Sequence, residues 1–129
     1  MTSHWAADLI GKPWAAGATG PFAFDCRGLV RECIRRRGLP PLPDVEEAHG
    51  SDWRAISDDE AMPDDLITMQ GPNGPHVGFM IEANGRLLVM HANGHQGELG
   101  PEGIVELHEL RQAVSNGYAR FRFWRATCS

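Results

Sequence analysis

Asp25-Cys26-Arg27-Gly28-Leu29-Val30-Arg31-Glu32-Cys33-Ile34-Arg35-Arg36-Arg37-Gly38 is the stretch that decides how this chain is read. Its apolar side chains fall at Cys26, Leu29, Val30, Cys33 and Ile34, the i, i+3, i+4, i+7, i+8 stripe of an amphipathic helix. Asp25 is a good N-cap, the three arginines suit the negative end of the helix dipole, and Gly38 followed by Pro40 stops it. Cys26 therefore lies in the first turn, where backbone N–H groups lack helical partners and the dipole adds positive charge. Both effects favour a thiolate and predict a lowered thiol pKa. Cys26 is a candidate nucleophile, with a small apolar filler of the helix–sheet contact as the alternative reading. The filler reading suits Cys33, two turns along the same stripe, and Cys128 near the C-terminus reads as a loose thiol.

A thiol nucleophile needs a base, and six histidines are available: His4, His49, His76, His91, His95 and His108. Val77–Ile81 and Leu87–Met90 read as strands flanking Asn84-Gly85, a strong signal for a two-residue hairpin loop. That register sets Ala83 opposite Arg86, Met80 opposite Val89, Gly78 opposite His91 and His76 opposite Asn93. Side chains alternate, so His76, Gly78, Met80, Val89, His91 and Asn93 share one face. His76 and His91 become diagonal neighbours within reach of each other, with Gly78 leaving room for two imidazoles. Val77, Phe79, Ile81, Leu88 and Met90 form the opposite, apolar face. His91 and His95 also show an H-x3-H spacing that Cys26 or His76 could complete as a zinc site. Asn93-Gly94 between them reads as a turn, however, not as the helix that would align them. The expectation is no metal and no cofactor. His4, His49 and His108 are expected at the surface.

Outward from these elements, Trp5–Ile10 reads as a short helix and Ala15–Phe24 as irregular Gly- and Ala-rich backbone. Pro-rich Leu39–Pro43 opens a long connection, with a helical turn over Val45–Ala48. Leu66–Met69, Ile104–Leu107 and Tyr118–Trp124 read as strands, and Glu109–Val114 as a helical turn. Helices first and an antiparallel meander afterwards make the fold class α+β.

The 129 residues suit one domain, taken as 1–129, and carry a net charge of -5. That balance argues against nucleic acid as a partner. No apolar run is long enough to insert in a membrane. Asp44–Asp65 holds nine acidic residues against Arg54 alone, so this segment carries -8 and the rest +3. Arg27, Arg31, Arg35, Arg36 and Arg37 crowd into one helix. The plain reading is two solvated zones; the sharper one pairs them across a cleft, or makes the acidic stretch a cleft wall. Met1–Phe22 shows no signal-peptide pattern, so the chain is expected to be cytoplasmic as synthesised, and a role outside the cell would require delivery in a virion or by another secretion route.

Four stretches in order resemble the NlpC/P60 cysteine peptidases. Phe24-Asp25-Cys26-Arg27-Gly28-Leu29-Val30 resembles that family's Asp-Cys-Ser-Gly-Leu-Val motif. His76-Val77-Gly78-Phe79-Met80-Ile81 is similar to its His-Val-Gly-Ile-Tyr-Ile strand, and Met90-His91-Ala92 to its Ile-His-Ala strand. Met62-Pro63-Asp64-Asp65-Leu66 resembles its Pro-Gly-Asp-Leu stretch. The resemblance implies a papain-like α+β fold with N-terminal helices and the nucleophile helix packed on an antiparallel sheet. It implies Cys26 as nucleophile, His76 as base and His91 as its orienting partner. The implied substrate is the peptidoglycan stem peptide, cut at its γ-D-glutamyl–diaminopimelate bond. Two positions depart from the pattern: Trp14 stands where the family commonly has Tyr, and Arg27 replaces the Ser after the nucleophile. With Asp25 they are the expected substrate contacts. The rival readings are a phage tail or assembly component with a vestigial cleft, partnered by tail proteins, and a thiol amidase acting on a non-wall substrate.

Overall fold

A computed structural model describes residues 4–42, 52–72, 74–93 and 103–127. Helix α1 spans Cys26–Arg37, with β1 at Trp53–Ile56, β2 at Leu66–Gly71, β3 at Gly74–Ala83 and β4 at Arg86–Asn93. β5 is Ile104–His108, α2 is Leu110–Ser115 and β6 is Ala119–Ala126. The predicted helix at Trp5–Ile10 contracts to a 3-10 turn over Ala7–Leu9. The expected turn at Val45–Ala48 lies outside the described residues.

α1 begins where its cap predicts. Asp25 accepts the Gly28 N–H on Oδ1 at 2.6 Å and the Gly17 N–H on Oδ2 at 3.1 Å, so one carboxylate ties the helix start to the Gly-rich loop. Gly28 is needed for the same packing, because a Cβ there would lie 2.2 Å from the Ala18 carbonyl oxygen. The far end closes on Gly38 in the left-handed conformation, its N–H returning to the Arg35 and Ile34 carbonyls.

The six strands form one antiparallel sheet in the order β1-β6-β2-β3-β4-β5. β2 to β5 are the expected meander. The departure is β6, which returns between β2 and β1 instead of extending the meander. Its alternation breaks at Arg120, which has φ +56°, beside a register shift opposite Thr68 and Gln70. β1 escaped the sequence reading because Trp53-Arg54-Ala55-Ile56 is short and sits within the acidic connection.

Leu29, Val30, Cys33 and Ile34 of α1 pack with Val77, Phe79, Ile81 and Met90 on one face of the sheet. On the other face Ile67, Met69, Met80, Val89, Tyr118 and Phe123 pack against α2 through Ala113. The two faces follow from the period-2 pattern of β3 and β4. Among the described residues, no helix is long and apolar enough to cross a membrane.

The charge zones pair only in part. Arg37 reaches Asp64 at 2.9 Å, and the two help line a cavity of about 800 Å³ with Trp5, Ile81 and Glu82. This lies at the C-terminal end of α1, about 16 Å along the helix from Cys26. Asp65 is 2% exposed and is held by the Arg125 guanidinium at 2.9 and 3.0 Å. Asp44, Glu46 and Glu47 lie outside the described residues.

Candidate active site

The Asn84-Gly85 turn sets Ala83 opposite Arg86 and Met80 opposite Val89, as predicted. The ladder between β3 and β4 ends at Phe79 and Met90, short of the expected Gly78–His91 pair. Cys26 opens α1, the helix that packs on β3 and β4. The backbone N–H groups of Val77 and Arg27 act on its thiol and favour the charged form. Val77 directly follows His76 in β3, so the thiol of α1 stands by the strand segment that carries the proposed base.

His76 and His91 meet as the register requires. His76 Nε2 and His91 Nδ1 are hydrogen-bonded at 2.8 Å, with the rings nearly perpendicular and their centroids 5.0 Å apart. The Tyr118 ring covers both, at 5.0 Å from His76 and 5.4 Å from His91. Gly78 serves a different purpose from the one expected. A Cβ there would meet the Met90 carbonyl oxygen at 3.0 Å, Ile67 at 3.1 Å and Val89 at 3.2 Å, so the glycine admits core atoms rather than imidazoles.

His108 is the main correction. Expected at the surface, it sits beside His91, the two Nε2 atoms hydrogen-bonded at 2.7 Å. β5 pairs with β4 so that Glu106 faces His91 and His108 faces Val89, which makes His108 a diagonal neighbour of His91. The connection between β4 and β5 runs over the ten residues 94–103, too long for a turn type to fix the register from sequence. His4 stays near the surface, bonded through Nε2 to the Glu82 carbonyl at 2.7 Å. His49, His95 and Cys128 lie outside the described residues, as does the H-x3-H zinc reading that depended on His95.

Burial dominates the electrostatics. It pushes the His76 pKa down to about 4. His91 is fully buried, and burial, with the neighbouring His76 and His108, takes it to about 3. His108 is lowered as well, burial outweighing the Glu106 carboxylate that pulls the other way. All three are neutral imidazoles at neutral pH. The Cys26 thiol is raised, not lowered as its helix position predicts. Burial is the largest cause and the Asp25 charge adds to it, against the opposing Val77 and Arg27 N–H groups. The site therefore rests as a neutral thiol with neutral imidazoles. Cys33 is fully buried and pushed up to about 12, the inert filler its place in the stripe implied.

His91, Glu106 and His108 bring ligand atoms within 4.8 Å of one another, a set that could surround a cation. The two Nε2 atoms stand closer than the roughly 3.3 Å separating nitrogens on a tetrahedral zinc, and match a hydrogen bond. Among the proposed substrate contacts, both Asp25 oxygens are occupied by backbone N–H groups. Arg27 is half-buried. Trp14 packs its side chain against the core, and its backbone N–H donates to the Gly103 carbonyl at 2.8 Å.

The NlpC/P60 family model matches residues 11–127. The chain is 31% identical over 86 residues to the probable endopeptidase p60 of Listeria innocua, covering 66% of this chain and 18% of that protein. It is 29% identical over 119 residues to the probable endopeptidase NlpC of Escherichia coli K12, covering 90% of this chain and 68% of that one. The crystal structure of the NlpC/p60 domain of the peptidoglycan hydrolase SagA superposes with a TM-score of 0.58 at 21% identity, covering 91% and 90%. The chain thus spans less than a fifth of the p60 protein. With the helix-on-sheet fold in agreement, the chain belongs to the NlpC/P60 family.

Proposed function

We propose that this chain is a cysteine peptidase that hydrolyses amide bonds of bacterial cell-wall stem peptides. The observation that carries the reading is the His76–His91 hydrogen bond, with the Cys26 thiol under the influence of the N–H of Val77, the residue after His76. The names of the relatives, endopeptidases and a peptidoglycan hydrolase, support the substrate class.

Cys26 Sγ attacks the amide carbonyl carbon while its proton passes to His76. The tetrahedral oxyanion is met by backbone N–H groups at the start of α1. As the C–N bond breaks, His76 returns the proton to the departing amine, leaving a thioester on Cys26. Water, deprotonated by the same imidazole, then displaces the thiol and releases the carboxylate product. Because the resting thiol is protonated, proton removal accompanies attack instead of preceding it.

Trp14 and Arg27 flank the start of α1 and are the positions through which this chain would differ from its relatives in substrate preference. Digestion of purified peptidoglycan followed by mass spectrometry tests the reading. The expected product carries a new carboxylate on γ-D-glutamate and a new free amine on diaminopimelate. Intact peptidoglycan beside a cleaved non-wall amide would move the substrate elsewhere. No hydrolysis at all would favour the non-catalytic assembly role.

A further inference from the structure

We propose that His108 is a positioning residue that fixes the tautomers of His91 and His76 so that His76 Nδ1 is the unprotonated, proton-accepting nitrogen. The inference rests on the reading of His76 as base.

The argument starts at a carbonyl. Glu109 is the N-cap of α2, and its carboxylate pairs with Arg86 and Arg111. Its backbone oxygen accepts the Gln112 N–H at 2.9 Å and lies 3.0 Å from His108 Nδ1. A carbonyl oxygen only accepts, so the His108 proton sits on Nδ1. In a neutral imidazole the other nitrogen is then an acceptor, and His108 Nε2 must receive the hydrogen bond from His91 Nε2. His91 therefore carries its proton on Nε2 and accepts on Nδ1. His76 must then donate from Nε2 to His91 Nδ1, and its own proton is accounted for. His76 Nδ1 is left bare. Three rings thus transmit one fixed polarity from a backbone carbonyl to the base. Burial keeps all three neutral, which the chain requires.

Glu106 is the group that could reverse this order. Its carboxylate stands 3.9 Å from His108 Nε2 and would favour a proton there. A doubly protonated His108 would donate to His91, send the His91 proton to Nδ1, and place the His76 proton on Nδ1, where it blocks the base.

Nitrogen-15 NMR of the imidazoles in the whole chain reads these protons directly, without substrate. The expected spectrum shows neutral His76 and His91 protonated on Nε2, and His108 protonated on Nδ1. Protonated Nδ1 on His76 or His91 would overturn the proposal. Variants add the kinetic test. His108→Leu removes the acceptor, and the expected result is a loss of kcat of at least tenfold with KM within about twofold and His91 tautomers mixed. His108→Gln supplies an acceptor oxygen and is expected to restore most of that kcat and the single His91 tautomer. Unchanged kcat and tautomers in a folded His108→Leu would overturn the proposal. So would activity that a chelator abolishes and zinc restores, which would assign His91, Glu106 and His108 to a cation. A Cys26→Ala variant that still hydrolyses defeats the underlying reading instead, and leaves the NMR result to judge the tautomers.

Discussion

Mild acid, between pH 7 and pH 5, should destabilise this protein. His91 is fully buried with a pKa of about 3, and His76 stands at about 4. In the unfolded chain both return to about 6.5. The unfolded state then binds more protons throughout the window from about 4 to 6.5, so stability falls as pH drops through that range. Between pH 7 and pH 5 a histidine kept neutral in the fold costs about 2 kcal/mol. His91 should contribute that in full and His76, half-buried, somewhat less, for a combined loss of about 3–4 kcal/mol. For a domain whose stability is on the order of 5–15 kcal/mol this is a large share. The Asp8 and Glu32 carboxylates are lowered by their arginine partners and stay ionised across the window, so they do not confound it. Urea unfolding followed by circular dichroism at pH 7, 6 and 5, at constant ionic strength, measures the loss. His91→Asn should roughly halve it. Equal or greater stability at pH 5 than at pH 7 would refute the buried neutral histidines on which the site is built.

Three further perturbations have defined outcomes. Arg125→Ala strands the buried Asp65 carboxylate and should cost about 3 kcal/mol in chemical denaturation. Gly28→Ala drives a Cβ into the Ala18 carbonyl at the start of α1, and should lower stability by about 1–3 kcal/mol and slow turnover as Cys26 is displaced. Asp25→Asn keeps a capping oxygen but removes the charge that raises the Cys26 thiol. Its alkylation by iodoacetamide as a function of pH should therefore show a lower thiol pKa than the wild type.

Much of the site was legible because it depends on short-range geometry. The stripe from Cys26 to Ile34, with Asp25 before it and Gly38 after it, needs no tertiary information to define α1. The two-residue turn at Asn84-Gly85 sets parity across β3 and β4, which is enough to bring His76 and His91 onto one face. What escaped depends on chain segments distant in sequence. β6 returns beside β2 because of packing by Ile67 and Phe123, which no local pattern announces. His108 required the β4–β5 register, set across a long connection. The thiol pKa was misjudged because helix position gives the sign of the dipole effect but not the depth of burial, and at Cys26 burial wins.

The central claim is that Cys26 attacks the substrate carbonyl. Its most direct test is to titrate the protein with iodoacetamide, locate the label by peptide mass spectrometry, and measure peptidoglycan hydrolysis on the same samples. The account predicts label on Cys26 ahead of buried Cys33, with hydrolysis falling in proportion to Cys26 modified and reaching zero at full modification. Undiminished hydrolysis with Cys26 fully alkylated would contradict it.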